Sequence, residues 1–90
     1  MSDLVITPMP TPNPNSVKFA ADRQLHDGPT KTFYNAEAAE ADPVAKRLFA
    51  LGGVTGVMLL NDFCSVNQDG SRDWDELTPE VIAILTDAFG

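Results

Sequence analysis

Three groups of residues in this chain have side chains that could do chemistry. The first is Cys64, the single cysteine of ninety residues. A thiolate can ligate a metal or act as a nucleophile, but a thiolate-held metal centre normally takes several of them. On an alternating strand Phe63–Asn67, Cys64 shares a face with Val66, while Ser65 and Asn67 share the other. Free cysteine is among the most buried residue types, so the expectation is a small core residue. The second is His26, the single histidine, beside Asp27-Gly28 in a loop. Transition-metal sites need converging ligands, and no second His or Cys stands near, so a solvated side chain is expected. The third is the acidic run Asp69, Asp73, Asp75 and Glu76. Hard oxygen ligands suit a loosely held divalent ion, which makes these four the metal candidates. The spacing Ser65-x-Asn67-x-Asp69-Gly70 and then Glu76 mimics an EF-hand loop. Ser replaces the first Asp, and a strand precedes it where a helix is required, so the mimicry is coincidental. Asp73 and Asp75 are expected to serve the approach to the last helix, with Trp74 packed over its start or the core edge. A Ser/His/Asp set, a Gly-rich phosphate loop and paired Cys/His ligands are all missing from the sequence, which argues against an enzyme.

The most specific stretch is Thr11-Pro12-Asn13-Pro14-Asn15-Ser16. Each proline holds its own φ and pushes the residue before it towards extended geometry. Asn and Ser side chains cap nearby backbone groups or settle into turns. The run reads as a rigid loop that delivers the chain into a strand at Ser16–Ala20. Its polar residues have two readings: they hold a tight turn, or they present a preorganised docking surface for a partner. An exposed sheet edge beside them could also accept a partner strand. On the docking reading, the partner-binding residues are Asn13, Asn15, Ser16, Lys18 and Phe19.

TPNPNSVKF at 11–19, DPVAKRLFALGGVTGV at 42–57 and DWDELTPEVIAIL at 73–85 occur in that order. Together they resemble the N-terminal domain of the Nfu (NifU-like) iron–sulfur scaffold proteins, from about Ile6 to Phe89. The resemblance implies a link to iron–sulfur cluster assembly and an association with iron binding. In full-length members a second domain carries a Cys-x-x-Cys that holds the cluster, and these ninety residues contain no such pair. An aliphatic residue is usual at the position of Cys64 in the related domains, which supports its core reading.

Several elements must position these residues. Leu4-Val5-Ile6 is a short apolar run ended by Thr7-Pro8 and reads as an edge strand. Val17 and Phe19 alternate with Ser16 and Lys18 as a half-buried strand. Thr30–Tyr34, rich in β-branched and aromatic residues, reads as its hairpin partner around a turn at 21–29. Asn35–Ala41 could form a helical turn. Asp42 then caps a helix Pro43–Leu51, with Pro43 at its first position and Gly52 where a C′ residue belongs. Val54–Leu60 and Phe63–Asn67 form a hairpin at Asn61-Asp62. Thr78 caps a closing helix Glu80–Phe89, with Pro79 at its first position and Val81, Ile84, Leu85 and Ala88 facing inward. The expected fold is α+β in two layers: a mainly antiparallel sheet of short strands with two helices packed on one face.

Length and charge bound the rest. Ninety residues suit one domain over 1–90 with a modest core. A net charge of −7 argues against nucleic-acid and anionic-membrane partners, both of which reward a basic face. With one cysteine, no intrachain disulfide can form, and no apolar run is long enough to span a bilayer. The N-terminal residues lack the features of a signal peptide, so a cytoplasmic location is expected. The expected function is an accessory role in iron–sulfur cluster assembly or delivery by protein–protein recognition, with iron–sulfur carriers or apo-targets as partners. No tightly bound cofactor is expected, and iron is the ion to test. A monomer is the simplest oligomeric state. The competing readings are a small interaction or regulatory module unrelated to iron metabolism, and a carboxylate metal binder.

Overall fold

The computed structural model describes residues 4–25 and 28–89, so the His26 reading lies outside the described residues. The elements follow as β1 (Ile6–Pro10), β2 (Ser16–Ala21), β3 (Lys31–Phe33), α1 (Ala36–Ala39), α2 (Pro43–Phe49), β4 (Val54–Leu59), β5 (Phe63–Gln68) and α3 (Trp74–Phe89). The five strands form one antiparallel sheet in the order β1-β2-β5-β4-β3. This is the α+β arrangement expected from the sequence.

One face of the sheet carries the core. Val17 and Phe19 of β2 lie opposite Val66 and Cys64 of β5, which lie opposite Val57 and Leu59 of β4. These residues are buried, together with Ala45 and Leu48 of α2 and Leu77, Val81, Ile84 and Leu85 of α3. The opposite face carries Lys18, Ser65 and Met58 in register, all half-buried. In β4 the register shifts between Val54 and Gly56. That bulge rephases the alternation, so Val54 and Val57 both face the core despite their odd spacing.

Four expectations are corrected. The first strand does not stop at Thr7-Pro8; it runs on through Pro8 to Pro10. Val5 and Asp22 are joined by a backbone bond from Asp22 N to Val5 O. That phase turns Thr7 and Met9 towards β2 and leaves Pro8 and Pro10 with their imide nitrogens outward. A proline at such a position removes no ladder bond, so the edge tolerates both.

The predicted hairpin of the second and third strands is replaced by a crossing. β2 pairs with β1 and β5, and β3 lies at the far edge against β4. The connection runs past the β4–β5 turn, with Ala21 N donating to Asp62 O and Leu25 N to Asn61 O. Leu25 is buried there and anchors it.

The last helix starts at Trp74, several residues before the predicted Thr78 cap. Asp75 N donates to Asp73 Oδ1 at 3.0 Å, and Glu76 N and Leu77 N donate to the Asp73 carbonyl. Pro79 therefore sits inside the helix. The α2 helix also ends slightly early, at Phe49 with Ala50 as C-cap, while its Asp42 cap and Pro43 start are as expected.

Candidate functional site

The loop between β1 and β2 is tied down by its own side chains. Asn15 N donates to Asn13 Oδ1 at 2.9 Å, an Asx turn, and Ser16 N donates to Asn13 O at 3.0 Å. Thr11 Oγ1 accepts from Asn13 N and lies 2.9 Å from the carbonyl oxygens of Asn13 and Ser16. Two distant segments hold it from outside. Gln68 N at the end of β5 donates to Asn15 O, and the Trp74 indole Nε1–H donates to Pro14 O, both at 2.9 Å. Pro12, Asn13, Pro14 and Asn15 remain exposed. The result is a stiff, solvent-facing loop.

Trp74 also shapes a groove. Its ring is tilted 53° to that of Phe19, with centroids 6.4 Å apart. Beside it, Pro8, Pro10 and Val17 of the sheet face Asp75, Thr78 and Pro79 of α3 across a cleft of about 430 Å³. Local pattern ends a strand at Pro8 and starts a helix at Pro79, and neither expectation brings the two residues into one groove. The available signal was the Pro8-x-Pro10 spacing, which puts both rings on one face of any extended strand.

The predicted partner-binding residues fall into three environments. Asn13, Asn15 and Ser16 stand together in the loop. Lys18 lies on the open face of the sheet with its Nζ 4.2 Å from the centre of the Phe63 ring. Phe19 is fully buried, so its side chain is core and not surface.

The four acidic candidates are not gathered into one cage. Asp69 Oδ1 accepts from Ser71 N at 2.9 Å, and bonds from the Ser71 hydroxyl and backbone hold its carboxyl below the usual range. Asp73 caps α3, with Asp75 and Glu76 on the first turn beyond it. Among the described residues, no three of His, Cys, Asp and Glu form a group able to hold a metal ion.

Cys64 is fully buried, and burial, followed by the negative charge of Asp42, pushes its thiol up to about 12. Asp42 is itself buried, accepting from Val44 N and Ala45 N, with Lys31 Nζ at 3.5 Å. Arg72 joins three elements: its guanidinium reaches the Leu51 and Gly52 carbonyls after α2 and Glu80 on α3, while its N–H donates to buried Gln68. Among the described residues no helix is long and apolar enough to cross a membrane.

Residues 6–90 match the family model described as scaffold protein Nfu/NifU N terminal. The chain is 39% identical over 80 residues to the NFU1 iron-sulfur cluster scaffold homolog, mitochondrial, of Drosophila persimilis, covering 88% of this chain and 28% of that protein. It is 33% identical over 79 residues to NifU-like protein 5, mitochondrial, of Arabidopsis thaliana, covering 88% and 29%. The chain thus spans less than a third of these curated relatives. They are named as mitochondrial, a compartment other than the cytoplasm expected above. Among solved structures, the NifU-like protein of Saccharomyces cerevisiae superposes with a TM-score of 0.82 at 26% identity, over 97% of this chain and 82% of that one. Protein SAV1430 of Staphylococcus aureus shares the fold, with a TM-score of 0.72 at 22% identity, over 88% and 95%. The core, the Asn-Pro loop and the match along nearly the whole chain lead to one conclusion: this chain belongs to the Nfu/NifU N-terminal scaffold family.

Proposed function

We propose that this domain serves iron–sulfur cluster assembly or delivery as a recognition module, bringing a cluster carrier or an apo-target into place without catalysing a reaction itself. The family supplies the setting. The observation that carries the recognition role is the Asn-Pro loop: exposed at 12–15, yet pinned by Trp74 and Gln68. A surface ordered before binding loses little entropy when a partner docks.

The cluster is cargo on this reading. Cys64, the sole thiol of the ninety residues, is buried and held neutral, so cluster ligation falls to thiolates outside them. The reading applies to a cytoplasmic or an organellar setting alike.

The test is an anaerobic pull-down from native extract with wild type and the Asn13→Ala/Asn15→Ala variant. Retention of iron–sulfur carriers or apoenzymes by wild type, with loss by a folded variant, is the expected result. A partner set unrelated to iron would mean that the fold serves another network. Equal retention by a folded variant would move the docking surface away from the loop.

A further inference from the structure

The groove between β1 and the first turns of α3 has two chemical halves. Its floor is apolar, built from Pro8, Pro10, Val17, Trp74 and Pro79. Its helix side offers acceptors, the Asp75 carboxylate and the Thr78 hydroxyl. Asp73 and Glu76 lie on the same turn, and among the described residues the lining of the groove includes no cation. An acidic ligand would meet repulsion here, while an apolar ligand carrying a cation is matched on both halves. About 430 Å³ accommodates a side chain or two, the scale of a short segment and not of a folded domain.

We propose that this groove docks an extended segment of a partner protein, seating an apolar side chain against Trp74 and a lysine or arginine against Asp75. This deepens the recognition role proposed above and is independent of what the partner does with iron. The bond from Trp74 to Pro14 sets the platform in advance. Docking here and contact with the Asn-Pro loop would then belong to one continuous surface.

Trp74 is the sole tryptophan of the chain, so its fluorescence reports directly on the groove. Short synthetic peptides with a central leucine flanked by lysine, serine or glutamate supply the probe. The lysine set is expected to bind about ten-fold tighter than the glutamate set at low salt. The gap should narrow as salt is added, and Asp75→Lys should reverse the order. Circular dichroism would check that this variant, at an exposed position, stays folded. Peptides that leave the Trp74 spectrum unchanged would overturn the proposal, as would a lysine preference that survives Asp75→Lys. A spectrum that shifts with protein concentration alone, alongside a dimer mass in light scattering, would also overturn it by assigning the groove to a second copy. The iron–sulfur reading fails separately. If charge-ordered peptide binding is seen but wild type captures no iron–sulfur proteins, the groove stands and that reading falls. Equal capture of such proteins by wild type and Asp75→Lys would give the reverse.

Discussion

Trp74 donates its indole N–H to the carbonyl oxygen of Pro14 at 2.9 Å, closing a span of 60 residues. This bond ties the first turn of the last helix to the first loop of the chain. Trp74→Phe keeps much of the ring but loses the donor. The expected cost is about 1 kcal/mol, the usual net worth of one such bond. Hydrogen exchange should speed at the Asn15 and Ser16 amides, which sit in that loop. Unchanged exchange would show that the Asx turn and the Gln68 N to Asn15 O bond hold it without Trp74.

Cys64 behaves as a core atom set in this fold. Cys64→Val adds about one methyl group at a fully buried position, so it is expected to keep the fold at a cost of at most about 1–3 kcal/mol. Its thiol should resist modification in the native state. A pH dependence follows from its titration. Its folded value is about 12 against an ordinary 9.0, so the stability tied to the neutral thiol is present below pH 9 and lost as pH rises towards 12. Urea midpoints should therefore fall more steeply in wild type than in Cys64→Val across that window. Parallel curves would show that the thiol is not held neutral.

Asp42 caps α2 through two backbone N–H groups while buried. Asp42→Ala should cost about 1–2 kcal/mol, and Asp42→Asn, which keeps an acceptor, should cost clearly less. The Lys31 pair adds little to this, because the ammonium is about half exposed. Equal losses in the two variants, read from urea melts, would assign the effect to charge and not to capping.

Arg72 gathers the end of α2 and Glu80 of α3 around one guanidinium. Arg72→Ala should lose about 1–3 kcal/mol, since these bonds involve a charged donor. Arg72→Lys should recover little of that, because an ammonium cannot span the fork. Full rescue by lysine in thermal melts would reduce the role of Arg72 to its charge.

Pro8 and Pro10 leave the outer edge of β1 with two positions that cannot donate. That discourages strand addition at this edge. Pro8→Val with Pro10→Val restores both donors, and light scattering should then show concentration-dependent association. A variant that stays monomeric at high concentration would place the protection elsewhere.

Much of this architecture was legible from local pattern. The Asp42-Pro43 start of α2, the hairpin at Asn61-Asp62 and the inward stripe of Val81, Ile84 and Leu85 each follow from residue types a few positions apart, whereas Ala88, expected on that stripe, is exposed near the helix end. The burial of Cys64 beside Val66 follows from simple alternation. Tertiary structure decided what local pattern could not reach. Nothing near Thr30–Tyr34 says that its partner is β4 and not β2, since pairing is set by the whole sheet and by where Leu25 can be buried. Local propensity alone places Pro79 at a helix start, because proline favours that position. Asp73, with a cap and Trp74 beside it, won instead, because Trp74 and Leu77 could then pack as helical residues. The groove has the same origin. Its walls come from a strand edge and a helix that lie far apart in the chain, and only their packing makes them neighbours.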